Sequence, residues 1–380
     1  MLFTRRDFGL GAIALGLAGC SSQAVTRGPG ASAALDPEMM PTRNAGYDAW
    51  VSGFRGRAQA KGISEATLRR AFQGAGYLPG VIKRDSNQTE FTRTLEDYLA
   101  IAASDERVSK GRAAFARHRS TFSALESRYG VDPHIICAIW GLESFYGERR
   151  GNIPVISATS TLAYHGRRGA FFESQLIAAL KILQAGDVPP ERMTGSWAGA
   201  MGHTQFMPTS FLAYAVDFTG DGRRDIWSED PSDALASTAA YLSRHGWVRG
   251  LPWGEEYLGG TPAGSLIQPQ PGGPRFAVTK NFSVIKRYNN SDSYAIGVGH
   301  LADRIAGGGP LRTPFPPDRY GLTKDDRIAL QARLTRAGYD TGGVDGVLGP
   351  KSQEAISAFQ RSRGLPVTGE PSQSLLAMLG

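Results

Sequence analysis

The feature that most constrains the fold is a series of capped, amphipathic helical segments through residues 46–306. ISEATLRRAFQGAG and FESQLIAALKILQAG place apolar residues about 3.6 positions apart and then reach glycine, as helices commonly do. SDALASTAAYLSRHGW repeats the pattern, and its Asp233 can help to cap the first turn. Only RFAVTK and FSVIKRY, after the loop QPQPGGP, have β character. We therefore expect a mainly helical (α+β) body with a small β element.

The helical periodicity stops at residues 307–321, GGGPLRTPFPPDRYG, which we interpret as an interdomain linker. Residues 322–380 then form a smaller unit. In it, the helical stretches DDRIALQARLTRAGY and SQEAISAFQRSRGL flank the turn-rich loop DTGGVDGVLGP. A unit this short can form only a minimal core. The chain length of 380 residues suits this division into two or three domains.

Charge and cysteine content limit the classes of partner. Lys and Arg number 42 against 35 Asp and Glu, an excess that attracts nucleic acid, anionic lipid or acidic polysaccharide. The sequence has no Gly-rich phosphate loop, no zinc-ligand spacing and no dense basic run with interleaved aromatics, so nucleic acid is not an expected partner. The two cysteines, Cys20 and Cys137, cannot build a disulfide framework, and Cys137 is expected to be a buried thiol.

The N-terminus has the features of an export signal over residues 1–20. A pair of arginines precedes an apolar run that is too short to span a bilayer. TRRDFGL resembles a twin-arginine signal, and LAGC resembles a lipobox whose cysteine, Cys20, becomes lipidated. The alternative is an ordinary cleaved signal. Ser21 after the cysteine implies, by this resemblance, a periplasmic lipoprotein that is sorted to the outer membrane. The composition of residues 21–45 predicts a flexible tether.

A carboxylate, Glu143, lies in the otherwise apolar, aromatic and small stretch AIWGLESFYG. At helical spacing, Ile136, Ile139 and Trp140 share one face with it. Glu143 therefore projects from a buried stripe, where that stripe can open into a cleft. The alternative is a solvated glutamate, or one paired with a nearby arginine.

The helix that carries Glu143 is expected to begin at the Asp-Pro pair 132–133 and to stop near Gly147. Partial burial and the negative end of the helix dipole both raise the pKa of a carboxylic acid. A carboxylic acid that is protonated near neutral pH can protonate a glycosidic oxygen.

Four motifs together resemble the B-type membrane-bound lytic murein transglycosylases, and they cover most of residues 46–306. They are GLESFYG, then GSWAGAMGHTQFMPTSF, then AVDFTGDGRRDIW, then RYNNSDSYA, in the order that the family shows. The resemblance implies a lysozyme-like catalytic domain with a deep groove for glycan strands. Residues 322–380 resemble the three-helix peptidoglycan-binding module of cell-wall enzymes. That second pattern is carried by Leu334, Gly338, Tyr339, Gly342, Asp345, Gly346, Gly349, Pro350, Ser352, Ala355, Ile356, Phe359 and Gln360.

The resemblance implies roles for individual residues. Glu143 would be the single catalytic acid and base, with Ser196 near it. An aromatic platform for sugar is expected at Phe171 or at Phe172. Aromatic, amide and hydroxyl groups suit the faces and hydroxyls of sugars. The expected substrate-binding residues are Tyr98, Ser196, Gln205, Tyr288, Asn289, Tyr294 and Phe171.

The sequence offers one carboxylate in this setting, although most glycosidases use two. Glu148 is expected to be solvated, and Glu173 to cap or face an amphipathic helix. The resemblance implies that Glu143 protonates the oxygen between MurNAc and GlcNAc and then removes the proton of the C6 hydroxyl that attacks C1. The product would be a 1,6-anhydroMurNAc end. A hydrolytic muramidase and a non-catalytic wall-binding scaffold remain alternatives.

DFTGDGRRD resembles the start of an EF-hand loop, with Gly222 at the sharp turn. The twelfth position is Ser228 rather than Glu, so a later Asp would be needed as ligand. No cofactor is expected for the chemistry. A calcium ion would be structural, and the alternative is a rigid turn without metal. The candidate ligands are Asp217, Thr219, Asp221, Arg223 and Asp233, with Asp225 at a further alternating position.

Overall fold

The computed structural model describes residues 36–86 and 93–380. The expected export signal with Cys20, and residues 21–35 of the expected tether, lie outside this part of the chain. Within the described ranges the protein is mainly helical, which confirms the expected fold class. The larger unit contains α1 (Ala45–Ala60), α2 (Glu65–Phe72), α3 (Pro79–Ser86), α4 (Leu95–Ala102), α5 (Asp105–Arg117), α6 (Arg119–Tyr129), α7 (Pro133–Ser144), α8 (Val155–His165), α9 (Gly169–Ala185), α10 (Pro208–Tyr214), α11 (Ser232–Arg244), α12 (Lys280–Tyr288) and α13 (Asp292–Ile305).

Local capping explains where several helices begin and end. The Ser64 hydroxyl accepts a hydrogen bond from the Thr67 N–H and starts α2. Helix α9 ends at Gly186, whose φ of 84° lies in the left-handed region that glycine adopts readily. Asp233 does not cap α11 as expected, because its carboxylate accepts backbone N–H groups from the preceding loop instead.

Two small antiparallel sheets are present among the described residues. Strands β1 (Ile153–Pro154) and β2 (Thr194–Gly195) pair with each other. Strands β3 (Gly254–Glu256) and β4 (Ser265–Ile267) flank the central β5 (Phe276–Val278). The expectation of a strand in RFAVTK is confirmed by β5.

The expectation of a strand in FSVIKRY is wrong, because these residues belong to helix α12. The Thr279 hydroxyl accepts from the Asn281 N–H and caps this helix. Phe282, Ile285 and Tyr288, which are spaced three apart, then share a buried face. The cap and this spacing outweigh the β propensity of the valine–isoleucine pair.

Helix α7 is the centre of the larger hydrophobic core. Residues 135–142 on it are all buried, and the helix packs against α5, α6, α11 and α13. Cys137 is fully buried as expected, and burial raises the pKa of its thiol. A helix buried on every side provides a rigid support for the residues at its end.

The C-terminal unit has three helices, α14 (Lys324–Arg336), α15 (Pro350–Ser362) and α16 (Gln373–Met378). Its small core contains Leu330, Leu334, Ile356, Phe359 and Leu375. The connection before it is not free of contacts, because Leu311 and Phe315 pack against the larger core. None of the helices in residues 36–86 and 93–380 combines the length and apolar character that crossing a bilayer requires.

Candidate active site

Glu143 is the penultimate residue of α7. The Asp132 carboxylate accepts from the His134 N–H at 2.8 Å and Pro133 takes the first position, so the helix begins as expected. Its end differs from the expected stop near Gly147, since the helix finishes at Ser144. Glu143 is half-buried, between two buried neighbours. The carboxylate therefore leaves the core at the last turn of a rigid helix.

The turn after Glu143 adopts an unusual backbone conformation. Phe145 and Tyr146 have φ angles of 53° and 59°, which side chains other than glycine rarely adopt, and Gly147 follows at 90°. The Tyr146 hydroxyl donates to the Arg107 carbonyl at 2.8 Å, and its ring occupies the space that a Cβ on Gly141 would fill. Such strained residues are concentrated at functional sites and persist where packing holds them.

Tyr294 contacts the carboxylate directly. Its hydroxyl donates to Glu143 Oε1 at 2.7 Å, and the residue is only 5% exposed. It lies in the first turn of α13, where the Ser291 hydroxyl accepts from its N–H. Because α13 packs against α7, a residue 151 positions away in the sequence reaches Glu143.

Tyr98 also lies close to Glu143. Its ring covers Gly297 of α13, where an added Cβ would come within 2.7 Å of Tyr98 Cε1. Burial first, and the Glu143 carboxylate second, raise the pKa of the Tyr98 phenol. The structure thus bonds the expected Tyr294 to the expected acid and packs the expected Tyr98 on α13, one turn after Tyr294.

A buried network attaches the loop of residues 195–206 to α7. The Trp140 indole donates to His203 Nδ1 at 3.1 Å, which leaves His203 Nε2 to donate to the Ser228 carbonyl at 2.7 Å. The Ser144 hydroxyl donates to the His203 carbonyl. Burial lowers the pKa of His203 to about 4, so this imidazole is neutral at physiological pH.

Gln205 and Tyr288 hold this loop in shape. Gln205 has a φ of 53°, and its side-chain amide donates to the carbonyls of Arg150 and Gly202, both at 2.9 Å. Tyr288 is 1% exposed and donates its hydroxyl to the Thr204 carbonyl at 2.6 Å. The sequence predicts substrate contacts at both positions, and the bonds described here show that both side chains also hold this loop in place.

Three further expected substrate-binding residues lie at the surface of the same unit. The Ser196 hydroxyl accepts from the Ala200 N–H at 3.1 Å and closes a tight turn. Asn289 is half-buried at the C-terminal end of α12. Phe171 is half-buried at the start of α9, with its ring edge-on to the fully buried Phe172 at 5.1 Å. Of the two candidate aromatic platforms, only Phe171 retains accessible surface.

The other two carboxylates considered from the sequence are paired with cations. Glu148 is exposed and binds Lys110 at 2.7 Å. Glu173 binds Arg57 at 2.9 Å, and this arginine lowers the pKa of the Glu173 carboxyl. Both carboxylates are therefore engaged in ion pairs, and the arginine beside Glu173 favours the ionised form of that carboxyl.

Comparison with known proteins identifies the family of each unit. The family model for the transglycosylase SLT domain matches residues 46–261 and 258–303. The chain belongs to this family of lytic transglycosylases. A peptidoglycan binding domain model matches residues 323–379. The larger unit is thus the transglycosylase domain, and the C-terminal unit is called the wall-binding module below.

The transglycosylase resembles several characterised proteins. It is 30% identical to membrane-bound lytic murein transglycosylase B of Escherichia coli (strain K12) over 287 residues. These aligned residues make up 64% of this chain and 79% of that protein. SltB3 from Pseudomonas aeruginosa, solved in complex with NAG-anhNAM-pentapeptide, is 43% identical with a TM-score of 0.70, over 88% of this chain and 100% of that chain. Escherichia coli Slt35, solved in complex with calcium, is 27% identical with a TM-score of 0.59, over 70% and 95%.

Sequence reasoning missed part of the transglycosylase site. Ser144 and His203 attach the loop to α7, and Tyr146 fixes the strained turn. His203 stands inside a motif that was recognised, GHTQFMP, but nothing in the motif indicates its partner Trp140, 63 positions away. The left-handed turn at Phe145 has no glycine at that position to indicate it.

The Asp-rich loop of the transglycosylase brings three acids together. Carboxylate oxygens of Asp217, Asp221 and Asp233 lie within 4.8 Å of one another. Asp233 also accepts the N–H groups of Phe218, Thr219 and Asp225. Such a set of oxygen ligands suits a hard divalent cation.

The remaining residues of the expected metal site are engaged differently. The Thr219 hydroxyl bonds to Asp217, and the Arg223 N–H donates to Asp221 Oδ1 at 2.9 Å. Asp225 pairs with Arg192 at 3.0 Å and is not part of the acidic cluster. The loop thus offers three carboxylates without the standard EF-hand ending.

Proposed function

We propose that this transglycosylase cleaves the β-1,4 bond between MurNAc and GlcNAc of peptidoglycan and leaves 1,6-anhydroMurNAc ends, with Glu143 as the single acid and base. One observation supports this most strongly: a half-buried carboxylate at the end of a buried helix, bound by the Tyr294 hydroxyl at 2.7 Å. The solved relative SltB3, in complex with NAG-anhNAM-pentapeptide, binds a ligand with the anhydro group that this reaction forms.

In the proposed reaction, Glu143 first donates one proton and then accepts one. Protonated Glu143 gives its proton to the glycosidic oxygen, and the C1–oxygen bond breaks. The N-acetyl group of MurNAc stabilises the positive charge that develops at C1. The ionised carboxylate then removes the proton of the MurNAc C6 hydroxyl as its oxygen bonds to C1. The enzyme returns to its starting protonation state, and no water is consumed.

The surrounding residues position the carboxylate for both steps. The Tyr294 hydroxyl fixes the orientation of Glu143 Oε1, and Tyr98 lies beside the same carboxylate. Preorganised donors of this kind act where charge develops and need no rearrangement during reaction. A second catalytic carboxylate is not required, and both Glu148 and Glu173 are already paired with cations.

Mass spectrometry of sacculi digested by the purified protein tests the reaction. We expect muropeptides that end in 1,6-anhydroMurNAc. Products with reducing MurNAc ends would instead identify a hydrolytic muramidase, because only that reaction adds water. No released product, together with retained binding to sacculi, would identify a wall-binding scaffold.

We further propose that the protein acts from the periplasmic side of the outer membrane, anchored by a lipid on Cys20. The lipobox-like LAGC and the following Ser21 support this proposal. Two signals are generally needed for stable anchoring, and a lipoprotein cysteine with several acyl chains satisfies this. Metabolic labelling with palmitate should mark the wild-type protein, and a Cys20→Ala variant that is labelled equally would contradict the anchor.

The Asp-rich loop is proposed to hold a structural calcium ion through Asp217, Asp221 and Asp233. Three clustered carboxylates repel one another, and a divalent cation would relieve that repulsion and cross-link the loop to α11. A calcium titration followed by thermal melting should therefore raise the melting temperature. An Asp221→Asn variant should lose most of this response. A wild-type protein that melts identically with calcium and with chelator would exclude the site.

A further inference from the structure

One arginine of the wall-binding module is buried and bonded on both sides of the domain boundary. The Arg327 side chain, on α14, is only 5% exposed. Within the module, its Nε donates to the Gly346 carbonyl at 2.7 Å and its Nη1 to the Leu322 carbonyl at 3.2 Å. These bonds orient the guanidinium so that its remaining edge faces the transglycosylase domain.

That edge meets the first turn of α4. Arg327 Nη2 donates to Glu96 Oε2 at 2.5 Å and to Asp97 Oδ1 at 3.3 Å, and Nη1 pairs with Asp318 at 3.4 Å. We define these four residues, Arg327, Glu96, Asp97 and Asp318, as the interdomain ion cluster. Glu96 is only 11% exposed in its side chain, so the central pair is largely desolvated. Desolvated pairs of this kind tolerate little displacement, because separation leaves a buried charge without a partner.

The segment that connects the two domains reinforces the same contact. The Glu256 carboxylate, on β3, accepts the N–H groups of Arg312 at 2.8 Å and Thr313 at 2.7 Å. The Glu96 N–H in turn donates to Gln270 Oε1 at 3.1 Å. The start of α4, the small sheet and the connecting segment are therefore held as one assembly.

The same short helix carries Tyr98. Glu96 and Asp97 precede Tyr98 directly, and the Tyr98 ring lies on Gly297 of α13, one turn after the Tyr294 that bonds to Glu143. Helix α4 has only eight residues and packs on α13. A displacement of its first turn consequently changes the position of the Tyr98 hydroxyl relative to the catalytic carboxylate.

We propose that Arg327 is a positioning residue that couples docking of the wall-binding module to the placement of Tyr98 beside Glu143. The proposal rests on the function proposed above. The module then has two roles: it binds the wall, and through the interdomain ion cluster it sets the geometry of the groove. Undocking the module lowers turnover even on soluble glycans that the module does not need to capture.

The test removes the partners of Arg327 on α4 and leaves its bonds inside the module intact. The Glu96→Gln/Asp97→Asn variant is compared with Glu65→Gln, which removes an exposed first-turn acid paired with Arg55. On short soluble glycans we expect kcat of the first variant to fall by roughly tenfold with little change in KM, since misplacement of a catalytic group affects turnover more than binding. Pelleting with sacculi should be unchanged, and Glu65→Gln should behave like wild type.

A double-mutant cycle with Tyr98→Phe separates coupling from general destabilisation. If the cluster acts through the Tyr98 hydroxyl, Glu96→Gln/Asp97→Asn should have little further effect on kcat in the Tyr98→Phe background. An equal fall in both backgrounds would overturn the proposal, and so would an unchanged kcat in the Tyr98-containing variant. Failure of the proposed function is distinguishable, because the wild-type protein itself would then release no anhydro products.

Discussion

The active site and the wall-binding module are each organised by a buried polar network. The two networks differ in how far apart in the sequence their bonded residues lie. In the module, the Gln331 side chain accepts from the Gly346 N–H at 2.7 Å and donates toward Asp345, Val347 and Ser352 at 3.2–3.3 Å. All of these partners lie within 21 positions of Gln331.

At the active site, by contrast, partners come from distant parts of the chain. Glu143 is bound by Tyr294, 151 positions away, and Trp140 by His203, 63 positions away. The module can therefore form from a short stretch of sequence, whereas the catalytic geometry exists only after α13 has packed on α7. Substitutions in the Gln331 network should consequently act first on the module, and substitutions at Glu143 on the chemistry, whereas the interdomain ion cluster links the two.

The largest expected effect is that of Glu143→Gln. The amide keeps the shape of the side chain but cannot deliver a proton, so turnover on sacculi should fall by about a thousandfold or more. Release of anhydro products measures this. Pelleting with sacculi should remain at the wild-type level, because the module is untouched. Near-normal product release by this variant would show that another residue is the acid.

The contrast between the two networks also explains what the sequence alone could predict. The module is recognisable in full, since its glycines, its aspartate-containing turns and its helices follow one another within one short pattern. Glu143 was identifiable because a charged residue in an apolar helical stripe is locally unusual. Tyr98 and Tyr294 are predicted as site residues only because the sequence resembles a known family.

The supporting residues could not be predicted, because their partners are set by tertiary packing. The bond from the Tyr288 hydroxyl to the Thr204 carbonyl, for example, joins two residues that are 84 positions apart in the sequence. The helical state of FSVIKRY was missed, since the threonine cap and the burial of one face decide it rather than intrinsic propensity. Sequence patterns thus indicate which residues matter more reliably than they indicate what each residue touches.

Gln331→Leu sharpens the comparison from the side of the module. Leucine is similar in size, but it leaves the Gly346 N–H and its neighbours without a partner, so the module should lose roughly 3 kcal/mol of stability. Thermal melting should show an earlier transition of the module, and pelleting with sacculi should weaken. Gln353→Leu, at an exposed position of α15, is the matched control and should melt like wild type. Equal melting of both variants would show that the Gln331 network is dispensable.

The next effect concerns the pH dependence of stability in the transglycosylase domain. Burial lowers the pKa of His203 from 6.5 to about 4, so between these values the unfolded chain binds a proton that the folded protein does not. Stability therefore falls as the pH is lowered, by roughly 2 kcal/mol between pH 7 and pH 5 for this one group. Chemical denaturation at the two pH values measures the loss.

His203→Gln should reduce that loss of stability by the same amount, although it also removes the bond from Trp140 and lowers stability at every pH. The other groups with shifted pKa values stay the same in both proteins. Burial lowers the pKa of His300 to about 4 and also lowers those of His118 and His245, so these three add to the loss, whereas Asp303, whose pKa burial raises to about 6, opposes it. If His203→Gln and wild type lost the same stability between pH 7 and pH 5, His203 would be shown to take up its proton in the folded state as well.

The smallest expected effect, and the one that addresses the catalytic geometry most directly, is that of Tyr294→Phe. The phenylalanine ring, itself on α13, can pack as the tyrosine ring does, but Glu143 Oε1 loses a hydrogen-bond donor at 2.7 Å. A hydrogen bond to a carboxylate favours its ionised form, so without it the basic limb of the pH–rate profile should move to higher pH. We expect kcat to fall roughly tenfold, or about 1.4 kcal/mol, with KM unchanged, because the bond orients a reacting group rather than holding substrate. Tyr339→Phe removes a hydroxyl of the module that is bonded to Ser362 and should leave the profile unchanged. If the pH–rate profiles of wild type and Tyr294→Phe were superimposable, the bond from Tyr294 to Glu143 would have no part in orienting the catalytic carboxylate.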